Sequence, residues 1–153
     1  MRTTRRVAAV ALATAGALVL AAGPAFAHVE ADPTRVKPGK EATVEFAPEH
    51  GCDESVTTVM DFRVPNGVTD ATPEALQGWS ATTKGKRIVF TSDSVPDEET
   101  SFPITFTAPD KKTVLAWKVI QRCQEGVERW IQGVDGDTPA PMVGVGKNPP
   151  GEH

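Results

Sequence analysis

Tyrosine is absent from this chain and its other aromatics are sparse, six Phe and three Trp among 153 residues. That scarcity counts against a broad aromatic face for a polymeric substrate. Cysteine occurs only twice, at Cys52 and Cys123, with no CxxC spacing. Histidine occurs three times, at His28, His50 and His153. Bases are outnumbered, 16 Lys and Arg against 20 Asp and Glu, for a formal net charge of −4. Such an acidic chain is a poor partner for nucleic acid or an anionic membrane. Beyond the N-terminus no apolar run reaches eight residues, which is far short of a membrane-spanning helix. The length supports one core and excludes enzymes of several domains.

The N-terminus is the most legible segment that remains. Met1 to Arg6 is positively charged, Val7 to Ala22 is a run of apolar, small or Thr residues, and Ala25-Phe26-Ala27 has the small-x-small pattern of a cleavage site. Residues 1–27 therefore read as a secretory signal peptide. The run is too short and too weakly apolar for an anchor, since about 20 apolar residues are needed to cross hydrocarbon. Arg5-Arg6 suggests twin-arginine export, but Ala8 stands where a bulky apolar residue is expected, so the export route stays open. Residues 1–27 carry three Arg and no acid, so their removal takes the net charge from −4 to −7. The expected location is secreted or extracytoplasmic.

Thirteen Gly and thirteen Pro predict short strands joined by turns. Period-two patterns fall at Glu41 to Phe46, Val56 to Val64, Ser101 to Ala108, Val114 to Cys123 and Glu128 to Gln132, and Arg87 to Thr91 is a short apolar strand. Pro103 marks its strand as an edge or an irregular one. Val114 to Cys123 is the longest, with Leu115, Trp117, Val119 and Cys123 sharing parity. The fold class is all-β, an immunoglobulin-like β-sandwich over residues 28–146, followed by a flexible tail at 147–153. Trp79 and Trp117 read as packing residues. Asp97-Glu98-Glu99 reads as a solvated turn.

Cleavage after Ala27 makes His28 the first residue of the mature protein. A terminal amine and the Nδ1 of the same residue close a chelate ring around one metal ion. Two nitrogen donors suit Cu(II), which prefers a tetragonal arrangement and heads the divalent affinity order, and both must shed protons to bind. The cysteine pair of an exported chain reads as a Cys52–Cys123 disulfide more economically than as a thiolate copper site.

These residues together carry a family resemblance. A signal peptide followed at once by His28-Val29, then Phe46-Ala47-Pro48-Glu49-His50-Gly51-Cys52, then a Ser/Thr-rich strand ending in Arg63-Val64-Pro65, resembles the YcnI-type copper-binding domain. Gln121-Arg122-Cys123-Gln124-Glu125-Gly126 with Val127-Glu128-Arg129-Trp130-Ile131 is similar to that family's cysteine-containing strand and turn, and Pro139-Ala140-Pro141 to its closing segment. The resemblance implies one Cu(II) held by a single-histidine brace on an immunoglobulin-like sandwich. Amine and imidazole come from His28, a third donor from Glu49, and a tryptophan near the metal from Trp130. His50 stands beside Glu49, and which of the two reaches the metal is left open. Glu128, sharing Trp130's parity, is a weaker candidate for supporting the site.

The resemblance implies copper homeostasis by sequestration, delivery or sensing, with a copper transporter or chaperone as partner and no turnover chemistry. Two other readings compete with it. A CopC-like carrier also begins with His but uses a His-and-Asp ligand pattern not evident between Glu49 and Asp53. A copper-dependent polysaccharide monooxygenase needs a second His, for which His50 is the candidate. An interaction module without metal is the third class, and it would be indifferent to its first residue.

Overall fold

A computed structural model describes residues 28–49, 52–53, 55–93 and 100–151. The signal segment, His50, the Asp97 to Glu99 turn and His153 lie outside the described residues.

Alternation builds the two main sheets. In β1 (Val29–Asp32) and β3 (Glu41–Pro48), Val29, Ala31, Val44 and Phe46 are buried while Glu30, Asp32, Glu41, Thr43 and Glu45 are not. In β4 (Thr57–Arg63) and β7 (Arg87–Ser92) the buried set includes Met60, Phe62, Ile88 and Phe90. In β8 (Phe102–Thr107) it is Phe102, Ile104 and Phe106. The first sheet runs β1-β3-β8-β5, with β5 at Thr69–Pro73. The second runs β11-β10-β4-β7-β6, with β6 at Trp79–Lys84, β10 at Lys118–Cys123 and β11 at Val127–Trp130. Aromatic rings join them across the core: Phe46 lies 5.2 Å from Phe62, and Phe102 lies 5.3 Å from Phe90, centroid to centroid. Offset and edge contacts at such distances contribute beyond the area they bury. A third sheet, β2 (Arg35–Val36), β12 (Met142–Val145) and β9 (Thr113–Ala116), closes one end. The all-β, immunoglobulin-like expectation holds, and the described residues contain no helix.

Two local expectations are corrected. β8, which contains Pro103, is not an edge: it pairs with β3 on one side and, through an irregular ladder, with β5 on the other. The Pro103 carbonyl accepts from Glu74 N–H just past the end of β5, so the donor that proline lacks is missing where the ladder stops. The long Val114 to Cys123 strand is two strands. Trp117, fully buried, separates β9 from β10 as the chain passes from the third sheet into the second, and its backbone N–H donates to Pro141. The last of the expected strands is β11, and β12 follows it. The segment after β12 lies against the body as far as it is described: Arg35 donates to the Asn148 side chain at 3.2 Å and Pro149 is buried.

Candidate metal centre

The β1–β3 ladder decides what lies beside His28. Val29 pairs with Pro48 and Glu30 with Ala47, so the next step of the same register sets His28 opposite Glu49. The Glu49 N–H donates to the His28 carbonyl at 2.9 Å and confirms that step. Directly opposed residues hold their Cβ atoms about 4.5–5.5 Å apart. Because Val29 and Ala31 face the core, the opposite parity of β1 faces outward. Glu49 is exposed and His28 half-buried. Glu30, Asp32 and Glu45 lie on the same outer surface, so the surroundings of the pair are acidic.

The chain beyond Glu49 is anchored by the Cys52–Cys123 disulfide, whose Cα atoms lie 6.0 Å apart. Both described cysteines are consumed in it. A register shift between Arg122 and Cys123 leaves Thr58 as an extra residue in β4, and the Thr58 hydroxyl donates to the Arg122 carbonyl. The loop is held further by Glu125 N–H to the Ser55 hydroxyl and Gln124 N–H to the Val56 carbonyl. Gly126, at φ +98°, permits the close approach of the β10–β11 turn, since a Cβ there would meet the Cys52 Cβ at 3.1 Å.

Trp130 sits on β11, the edge strand of the second sheet. β5 and β6 touch at one side of the sandwich, which leaves the other two edge strands, β1 and β11, on the opposite side. Trp130 has the parity opposite to the apolar Val127 and Ile131. It is nevertheless 2% exposed, while Val127 and Ile131, of the other parity, are 44% and 42% exposed. Its indole N–H donates to Gln121 Oε1 at 2.9 Å, and the Gln121 amide donates to the Thr57 hydroxyl at 2.7 Å. Gln121 is fully buried, a residue the strand pattern gave no reason to single out beyond its parity with Val119. Glu128 pairs with Gln121 across the ladder and is half-buried.

Thus His28 and Glu49 are brought together, and Trp130 is a core residue on the edge strand β11 of the other sheet. No group of three or more His, Cys, Asp or Glu side chains poised for a metal occurs among the described residues. The pair fits a metal by donor chemistry: an imidazole and a carboxylate on adjoining strands, with the nitrogen of residue 28 as a third donor once it is a free amine.

A model of the family described as Domain of unknown function (DUF1775) matches residues 28–88 and 80–145. The chain belongs to this family. It is the YcnI-like family, as the residue patterns suggested, and its match begins at His28. Among solved structures, an uncharacterized protein from Nocardia farcinica with an immunoglobulin-like fold is 22% identical, at a TM-score of 0.64, over 77% of this chain and 97% of that one. A type III cohesin module from the ScaE scaffoldin of Ruminococcus flavefaciens is 15% identical over 87% and 81% of the two chains, with a TM-score of 0.43. A type I cohesin of Pseudobacteroides cellulosolvens is 13% identical over 84% and 97%, with a TM-score of 0.45. The first of these likenesses shows the fold alone. A search of the curated proteins returns no match.

Proposed function

We propose that this is an extracytoplasmic copper-binding protein that holds one Cu(II) through the His28 amine, the His28 imidazole and the Glu49 carboxylate. It sequesters, delivers or senses copper without turnover. The reading is carried by one observation: the Glu49 N–H donates to the His28 carbonyl, so a residue able to chelate by itself stands directly opposite a carboxylate. Membership of the YcnI-like family supports it, as does a family match that starts at residue 28. The disulfide is in keeping with an oxidising compartment. A transporter or chaperone of copper is the partner class this role requires.

The test is a Cu(II) titration of protein beginning at His28, followed by electron paramagnetic resonance, against protein with one Met ahead of His28. Blocking the amine removes one donor and the chelate ring with it, and affinity falls by orders of magnitude. His28→Ala does the same. Glu49→Gln weakens binding and shifts the g-values, while His50→Ala leaves the nitrogen pattern unchanged. Equal affinity in the Met-capped and processed forms sinks the brace. Loss of a nitrogen signal on His50→Ala transfers the site to the two-histidine carrier or oxidase readings.

A further inference from the structure

The outer face of the second sheet has a charge pattern that a metal at the β1–β3 edge does not use. Strand registers set Lys84 opposite Arg87, Arg87 opposite Arg63, and Arg63 opposite Lys118. Four cations therefore stand in one row across β6, β7, β4 and β10. With neighbouring strands about 4.8 Å apart, the row is about 14 Å long. Like charges in directly opposed positions destabilise a sheet. Arg122, four residues beyond Lys118 on β10, shares its side of the sheet. Of these five residues, only Arg87 has a carboxylate partner among the described residues. Its guanidinium donates through two nitrogens to Asp61, whose hydrogen bond and charge raise the Arg87 pKa.

The first sheet has the opposite sign. The four strands of the first sheet contain no Lys or Arg and carry Glu30, Asp32, Glu41, Glu45 and Asp70. Charge is thus segregated by sheet in a chain whose net charge is negative. Arg63, Arg87 and Lys118 of this row, with Arg122 and Lys86, line a groove of about 950 Å³ walled by β9 and the turn after β4, in which Asp61 is the one carboxylate among the lining residues. Pro65, Val114, Ala116 and Ile120 supply apolar lining and are not fully buried.

We propose that this groove docks an extended acidic segment of a partner protein. An extended strand spaces side chains on one side by about 6.7 Å, so three carboxylates at alternate positions cover about 13 Å, the separation of Lys118 and Arg122 along β10, with Arg63 beside Lys118. The Arg63 and Arg122 guanidinium groups can each donate paired hydrogen bonds to a carboxylate, as Arg87 does to Asp61. The apolar lining accounts for the choice of occupant. A bare inorganic anion gains nothing from Pro65 or Ile120, and a flat bilayer does not follow a concave wall. The peptide mode, side chains in alternate pockets, uses both features. Docking here leaves the His28 edge of the other sheet uncovered.

The experiment is a titration of the disulfide-bonded processed chain with a blocked peptide alternating Glu and Val, followed by amide chemical shifts. Saturable shifts are expected at Arg63, Arg87, Ala116, Lys118 and Ile120, with affinity falling steeply as salt rises from about 50 to about 300 mM. Arg63→Glu with Lys118→Glu weakens binding at least tenfold, whereas Lys37→Glu with Lys147→Glu, an equal change of net charge, does not. Arg122→Glu serves as a second variant if the double reversal loses its native near-ultraviolet spectrum. Four outcomes overturn the proposal: equal binding of a Gln and Val peptide, shifts outside the groove, the same affinity for inorganic phosphate, or binding to phosphatidylglycerol vesicles without binding to the peptide.

Discussion

Trp117 and Trp130 occupy the same core at almost no exposure, yet only one of them has its polar atom satisfied. The Trp130 indole N–H donates to Gln121, whereas Trp117 Nε1 is buried without a hydrogen-bond partner. Replacing either by Phe removes similar apolar volume. Trp130→Phe also removes a made hydrogen bond, and Trp117→Phe instead removes a buried donor that makes none. Trp130→Phe is therefore expected to be the more destabilising by about 1 kcal/mol, read from urea midpoints at unchanged slope. The reverse order would mean that the Trp130–Gln121–Thr57 chain contributes nothing. The same tryptophan shows what a single residue's parity conveys. Val127 and Ile131 are the apolar choice for a core face, and the chain buries Trp130 instead because the β10–β11 register sets it opposite the fully buried Val119.

At the scale of elements, the Cys52–Cys123 bridge is the cross-link that holds the β3–β4 connection against the β10–β11 hairpin. It spans 71 residues, and the chain-entropy model assigns such a loop about 4 kcal/mol of stabilisation. Cys52→Ser with Cys123→Ser is expected to lower stability by up to about that amount in urea titrations. It also frees the segment that carries Glu49, so Cu(II) affinity should drop while the His28 chelate survives. Unchanged affinity with the fold retained would separate the bridge from the site. The strands that alternate cleanly, β3, β7 and β8, were legible because each buries one face, and β4 was legible from Met60, Phe62 and Val64 although Asp61 between them is buried too. β6 was not, because after Trp79 every residue in it is exposed and no period can show. β12 was not, because Val143, Gly144 and Val145 are buried in succession and proline precedes them. Pro103 misled for a reason only topology supplies, namely that β5 ends beside it. The cationic row was hidden in a similar way: Lys118, Ile120 and Arg122 show an outward parity, but only the ladder registers align them with Arg63, Arg87 and Lys84.

For the molecule as a whole, the proposed copper site turns on whether the fold would take part in holding the ion or merely carry a chelating terminus. A brace made by His28 alone has both donors in one residue, so the unfolded chain binds the ion as well as the folded one. A ligand that binds both states equally stabilises neither. Glu49 changes this, because only the β1–β3 ladder sets it opposite His28. Any rise in melting temperature with Cu(II) therefore measures what folding adds to the site. If the carboxylate improves affinity a hundredfold over the bare chelate, saturating copper stabilises the native state by about 2.7 kcal/mol. For a domain between the 100- and 150-residue classes that corresponds to roughly 8–14 °C. Glu49→Gln should retain tight Cu(II) binding by the terminus yet lose most of this thermal shift, and a Met ahead of His28 should lose both. Differential scanning calorimetry of the processed chain, with and without one equivalent of Cu(II), makes the measurement. A full thermal shift in Glu49→Gln would remove the carboxylate from the site, and no shift in the unsubstituted protein would leave copper bound to the terminus alone.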